Sequence, residues 1–112
     1  MQVRAVAKSI RVSPRKVRLV LRELPGKRVD EALTLLRFMP VPIARDVAKV
    51  VRSAAANAEH NYSLSSGDLR VVSATADEAV RLKRFRARSR GRPAPRVRRA
   101  SHITVVVEDR EA

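Results

Sequence analysis

At 112 residues, with 25 lysines and arginines against 11 aspartates and glutamates and a net charge of +14, the chain is long enough for one domain with a modest core. It is too short for separate substrate and cofactor domains, and the absence of cysteine excludes disulfide staples and thiolate metal sites while fitting a reducing compartment, the cytoplasm by default. Such a charge makes the free protein self-repelling and adhesive towards acidic partners, whereas an apolar content of 45%, with only two Phe, one Tyr and no Trp, supplies small side chains for a packed core and argues against wholesale disorder.

Met1 to Val12 has basic residues spaced through it but lacks the apolar run of about 7 to 15 residues that marks a signal peptide. Nothing later approaches the length needed to span a bilayer, so no membrane insertion is expected. Gln2 to Lys8 alternates polar and apolar residues and reads as a short strand. Ser13 and Pro14 then supply an N-cap and a first helical position, opening a helix expected to run to about Leu24, where Pro25 and Gly26 end it. Val17, Val20, Leu21 and Leu24 fall on one side of that helix and Arg15, Arg18 and Arg22 on another, so one face packs and the other is basic.

Asp30 is expected to cap a second helix, in which Val29, Leu33 and Leu36 form the inward stripe with Ala32 and Leu35 beside it, until Pro40 and Pro42 break the pattern. The third helix, roughly Pro42 to Asn61, has the clearest periodicity: Ile43, Val47, Val50, Val51, Ala54, Ala55 and Ala58 share a face. This predicts the central helix, whose alanines permit close approach of a neighbouring element. Arg45, Lys49 and Arg52 line a different face at i, i+4 and i+7. One such row reads as a solvated surface; two rows and a basic arm in one small domain read as an electrostatic footprint.

After a polar loop from Tyr62 to Asp68, β-branched residues predict strands at Leu69 to Thr75 and Ile103 to Val107. Between them, Arg81 to Arg99 holds ten basic residues, nine of them arginine, and no acidic residue occurs from Ala79 to Val107. Arg84, Arg86, Arg88, Arg90 and Arg92 recur at every second position, so an extended backbone sets all five on one face. If the flanking strands pair antiparallel, the intervening residues form a two-stranded ribbon turning near Ser89, Arg90, Gly91 and Arg92. At about 3.3 Å per residue the dozen residues from Ala79 to Arg90 project roughly 40 Å, beyond the roughly 30 Å diameter of a small domain. Pro93 and Pro95 are tolerable there because both strands are edges. An isolated ribbon with this much like charge is expected to be mobile in the free protein and ordered when docked.

Arginine grips phosphate oxygens bidentately and stacks on bases, where lysine offers a hydrated point charge, so the arm is built for a dense polyanion. Folded RNA, with irregular backbone turns and unstacked bases, suits a thin probe better than duplex DNA, although composition alone leaves both in view. Phe85 is placed to stack on a base or to pack at the root of the ribbon. Catalytic constellations are hard to assemble. His60 and His102 lie far apart in sequence and outside any zinc-ligand spacing, and structural roles are expected for both. The adjacent pairs Asp77 with Glu78 and Glu108 with Asp109 point to opposite faces of a strand rather than sharing a proton. Glycines at 26, 67 and 91 cannot form a phosphate-binding loop. No enzyme activity, cofactor or metal is expected.

Lys16-Val17-Arg18-Leu19-Val20, Ala55-Ala56-Asn57-Ala58-Glu59-His60-Asn61, Lys83-Arg84 and Ser101-His102-Ile103-Thr104-Val105-Val106-Val107 occur in the order seen in the bacterial large-subunit ribosomal protein L twenty-two family, which the chain resembles over nearly its whole length. The resemblance implies an α+β fold, three helices packed on a small three-stranded antiparallel sheet with a long protruding β-hairpin. It implies a single domain whose globular part covers about residues 1–78 plus 101–112 and whose basic hairpin covers about 79–100. It further implies a structural role on large-subunit ribosomal RNA beside neighbouring ribosomal proteins, with the globular part near the exit of the nascent-peptide tunnel, the hairpin lining its wall near the macrolide site, and a contribution to subunit assembly. By that likeness the RNA-binding residues are Arg11, Arg15, Lys16, Arg18, Arg22, Arg81, Lys83, Arg84, Arg86, Arg88, Arg96, Arg98 and Arg99, and the tip that meets the nascent peptide comprises Arg88, Arg90, Gly91 and Arg92. The chain departs from the usual family pattern with Ala at 87 and Pro at 93 and 95. A nucleoid-type DNA-binding protein is the alternative, separated by competition between folded ribosomal RNA and duplex DNA at matched salt; for either, affinity should fall steeply with salt.

Overall fold

The computed structural model of the chain describes residues 2–64, 66–79, 82–88 and 92–109. Its elements follow the order β1 (Gln2–Ile10), α1 (Pro14–Leu21), α2 (Val29–Phe38), α3 (Ile43–Tyr62), a single 3₁₀ turn at Ser66–Asp68, β2 (Leu69–Glu78), β3 (Leu82–Arg88), β4 (Arg92–Arg98) and β5 (Ser101–Asp109). The described residues thus form an α+β fold with three α-helices, an antiparallel three-stranded sheet in the order β1-β5-β2, and a separate two-stranded ladder of β3 and β4.

β5 is central because it alternates most cleanly. Ser101, Ile103, Val105 and Val107 are buried and the residues between them half-buried, so one face of the strand meets the helices. Val3 and Ala5 of β1 and Leu69, Val71 and Ala76 of β2 are buried with them. Against this face lies α3, whose buried residues Ile43, Ala44, Val47, Ala48, Val50, Val51, Ala54, Ala55 and Ala58 confirm the predicted stripe, extended by Ala44 and Ala48. Small side chains let α3 sit close to the β1–β5 pair while α2 packs on another side. Arg45, Lys49 and Arg52 remain exposed as the period required.

Several boundaries differ from the sequence expectation, and β1 itself runs to Ile10 rather than Lys8. α1 stops at Leu21, not Leu24: Glu23 and Leu24 donate to the carbonyls of Val20 and Leu21, three residues back, and Pro25 disfavours helical geometry at the residue before it. Leu24 still reaches the core, fully buried, through that tightened turn. Asp30 is not the cap of α2. Arg28 occupies the N-cap, and Asp30 and Glu31 stand in the first turn, where their charge complements the helix dipole. β2 and β5 run longer than predicted because their ladder continues past Thr75 to pair Asp77 with His102 and Glu78 with Ser101.

The connection from α1 to α2 covers part of the outer edge of β2. Gly26, at φ 86°, donates its N–H to the Val71 carbonyl, and Val71 donates to the Lys27 carbonyl. Glycine takes this left-handed backbone at little cost. The chain as a whole extends 67 Å along its long axis against 27 and 17 Å across.

Candidate nucleic-acid interface

The interface begins where the sheet gives way to the β3–β4 ladder. Ala79 donates its N–H to the Ala100 carbonyl at 3.0 Å, one pair beyond the last of the β2–β5 ladder. Two side chains fasten α1 at this root. The fully buried Ser101 hydroxyl donates to the Val12 carbonyl just ahead of α1, and Arg18 of α1 donates from Nε and Nη2 to the Ala76 carbonyl at 3.1 and 2.8 Å. A helix carrying a basic row is therefore tied to both strands that lead into the basic arm.

Arg11 is exposed on the link between β1 and α1, and Arg15, Lys16, Arg18 and Arg22 are exposed along α1 and at its C-cap. Arg18 differs from its neighbours in having two of its five guanidinium donors committed to Ala76. Lys83, Arg84, Arg86 and Arg88 lie on β3, Arg92, Arg96 and Arg98 on β4, and Arg99 is exposed just beyond. Arg81, Arg90 and Gly91 lie outside the described residues, as does most of the expected turn.

The ladder pairs Leu82 with Arg98, Arg84 with Arg96, Arg86 with Ala94 and Arg88 with Arg92, alternating with Lys83–Val97, Phe85–Pro95 and Ala87–Pro93. Directly opposed residues in an antiparallel pair share a face. The register therefore assigns Arg84, Arg86, Arg88, Arg92, Arg96 and Arg98 to one face and Phe85, Ala87, Pro93, Pro95 and Val97, with Lys83, to the other. Pro93 and Pro95 have the same parity, so one register points both missing donors away from the partner strand and leaves the ladder bonds to 92, 94, 96 and 98.

Arginines recurring along the arm without interspersed carboxylates are, on chemical grounds, suited to a polyanion. Among the described residues, no group of three or more His, Asp or Glu is placed to hold a metal ion, and no helix is long and apolar enough to cross a membrane. The family model for Ribosomal protein L22p/L17e matches residues 5–108. The chain belongs to that family. Its sequence is 51% identical to the large ribosomal subunit protein uL22 of Dehalococcoides mccartyi strain BAV1 over 109 residues, covering 97% of this chain and all of the relative. It is 50% identical to uL22 of Thermoanaerobacter sp. strain X514 over 111 residues, 99% of this chain and all of that one, and 49% identical to uL22 of Finegoldia magna over 111 residues, 99% of each.

In this L twenty-two family member the structure adds residues that the sequence reading passed over. Arg4 and Lys8 are exposed on β1, where the alternation with Val3, Ala5 and Ala7 was the available signal. Ser9 adopts φ 57° at a register shift between Ala7 and Ile10, and its N–H donates to His102 Nδ1 at 3.1 Å. That bond makes Nδ1 an acceptor. No local pattern announces Ser101 or His102 in these roles, because their partners stand about ninety residues away in sequence.

Proposed function

We propose that the chain is a structural, non-enzymatic component of the large ribosomal subunit in the cytoplasm, holding large-subunit ribosomal RNA through α1 and the arginine face of the β3–β4 ladder. Membership of the L twenty-two family supports the subunit assignment. The observation that carries the RNA contact is the latch at the root, where Ser101 and Arg18 fasten the basic helix to both strands entering the arm, so that two cationic surfaces act as one. Arg11, Arg15, Lys16, Arg22 and Arg99 on the body, with Arg81, Lys83, Arg84, Arg86, Arg88, Arg96 and Arg98 on the arm, neutralise phosphates. Arg18 serves first as the latch.

The arm's far end, Arg88 to Arg92, lines the nascent-peptide tunnel while the body sits near the tunnel exit beside neighbouring ribosomal proteins. Docking of the arm draws RNA segments together and so contributes to subunit assembly. The experiment is co-sedimentation of the protein with large subunits through a high-salt wash, with RNA crosslinks mapped to residues 81–99 and nascent-chain crosslinks to residues 88–92 on stalled ribosomes. Retention and both sets of crosslinks are expected. Loss in mild salt, with duplex DNA competing as well as ribosomal RNA, overturns the reading in favour of DNA binding; nascent-chain crosslinks absent from the tip overturn the tunnel placement alone.

A further inference from the structure

A groove of about 460 Å³ opens between the start of β1 and the last turns of α3, lined by Gln2, Val3, Arg4, Asn57, Asn61, Tyr62 and Val106. That volume falls within the roughly 300–1,000 Å³ of clefts that take small ligands. The groove is not part of the basic arm. Arg4 pairs with Val106 towards one end of β5, whereas the arm roots beside Ser101 at the other, five residues and roughly 16 Å away along the strand.

Its chemistry is specific. Tyr62 is 50% exposed, although the chain has only three aromatic residues to contribute to a core. The helix ends immediately after it because Ser63 turns to φ 55°, with its N–H on the Glu59 carbonyl and that of Leu64 on the Ala58 carbonyl. This ending leaves Tyr62 at the rim of the groove. Asn57 and Asn61 stand one helical turn apart on the same side. Asn57 Nδ2 donates to the Arg4 carbonyl at 3.5 Å, which commits that end of the amide and leaves Oδ1 as an acceptor; Asn61 keeps a donor and an acceptor to offer. Arg4, exposed on β1 with its carbonyl turned to Asn57, is the one cation among the described residues of the lining, and Gln2, also in the lining, donates from Nε2 to the Glu108 carboxylate at 3.3 Å.

An aromatic face, amides of both polarities, two valines and one guanidinium are the set that recognises an unstacked nucleotide: the base stacks on the ring, the amides meet its edge, and the cation meets its phosphate. The electrostatics give the orientation. The C-terminal end of α3 carries the negative pole of the helix dipole, which disfavours phosphate and favours the N–H groups of a base, so the phosphate belongs on the Arg4 side. An acidic peptide would find a single cation here, and a purely apolar side chain would strand the amides.

We propose that this groove holds one unstacked nucleotide of large-subunit ribosomal RNA, an anchor independent of the arginine arm. The proposal rests on the RNA-binding reading above and adds a site at the opposite end of the sheet. Tyr62 is the single tyrosine of a chain without tryptophan, so intrinsic emission near the tyrosine band reports this groove alone. The full-length protein is titrated with purified large-subunit ribosomal RNA while filter retention follows total binding and emission, corrected for RNA absorbance, follows Tyr62. Quenching that tracks retention is expected with ribosomal RNA and not with duplex DNA. Tyr62→Phe should bind as the parent does, and Tyr62→Ala should bind about 5- to 100-fold more weakly, as expected for loss of one base–aromatic stack, with an unchanged circular dichroism spectrum. Retention without quenching, or parental affinity in Tyr62→Ala, overturns the nucleotide site while leaving the arm's RNA contact standing. Absence of RNA retention altogether overturns both.

Discussion

The body and the arm of this protein are stabilised by opposite means. In the body, β5 and α3 bring together residues that are almost wholly apolar and buried, from Val47 and Val51 on the helix to Ile103, Val105 and Val107 on the strand, and the exposed basic rows are carried on this frame. The arm is a ladder of two seven-residue strands with arginine recurring along one face and no acidic residue to offset it. Two-stranded ribbons are marginal in water even without like-charge repulsion. The body therefore supplies its own folding free energy, while the arm, on the function proposed above, draws its stability from the phosphates it meets. A small basic protein can in this way hold a long probe without building a core inside it.

The sharpest way to break this comparison is to damage each part and read both properties. Leu21→Ala empties a site that is 1% exposed and should cost about 2–5 kcal/mol of unfolding free energy in urea titration. With the fold retained, it should leave the salt dependence of RNA binding unchanged. Replacing Arg84, Arg86 and Arg88 together by Gln should do the reverse. Stability should stay within about 0.5 kcal/mol per site, while the slope of log affinity against log salt should fall by about one for each lost phosphate contact. A large stability loss in the triple variant would show that the arm is part of the body's cooperative unit and would end the distinction.

The latch sharpens the comparison at the boundary. Ser101→Ala leaves the Val12 carbonyl without its hydroxyl donor in a packed setting and should cost about 1–3 kcal/mol by chemical denaturation. Arg18→Gln loses the paired donation to Ala76 and should cost about 0.5–1.5 kcal/mol, with a smaller effect on the salt slope than Arg15→Gln. An equal change in slope from the two would mean that Arg18 contributes to phosphate binding as fully as its neighbour. The smallest effect belongs to Pro93→Ala with Pro95→Ala, about 0.4–1 kcal/mol per site through greater freedom of the undocked chain, read as weaker RNA affinity.

How much of this was legible beforehand followed the range of the interactions. The period of α3 and the alternation of β5 are local consequences of burial; α3 stands where the residues placed it, and β5 contains the expected strand, extended at both ends. The end of α1 was misplaced because Leu24 is buried through a turn, and burial spacing alone cannot distinguish that turn from another helical residue. Asp30 was assigned to the cap on side-chain preference, yet helix entry is fixed by the Arg28–Arg70 bridge to β2, which sequence near Asp30 does not contain. The basic residues of the candidate interface were plain from their clustering, whereas the latch and the Tyr62 groove depend on contacts between residues 53 to 106 positions apart.

The shared parity of Pro93 and Pro95 reaches beyond the arm itself. A free ribbon ordinarily offers each outer margin as a template on which a third strand, from another copy, can grow. Here two successive outward positions on β4 have no hydrogen to give, and every arriving copy brings the same positive charge. An undocked copy is thus kept from polymerising through this extended segment.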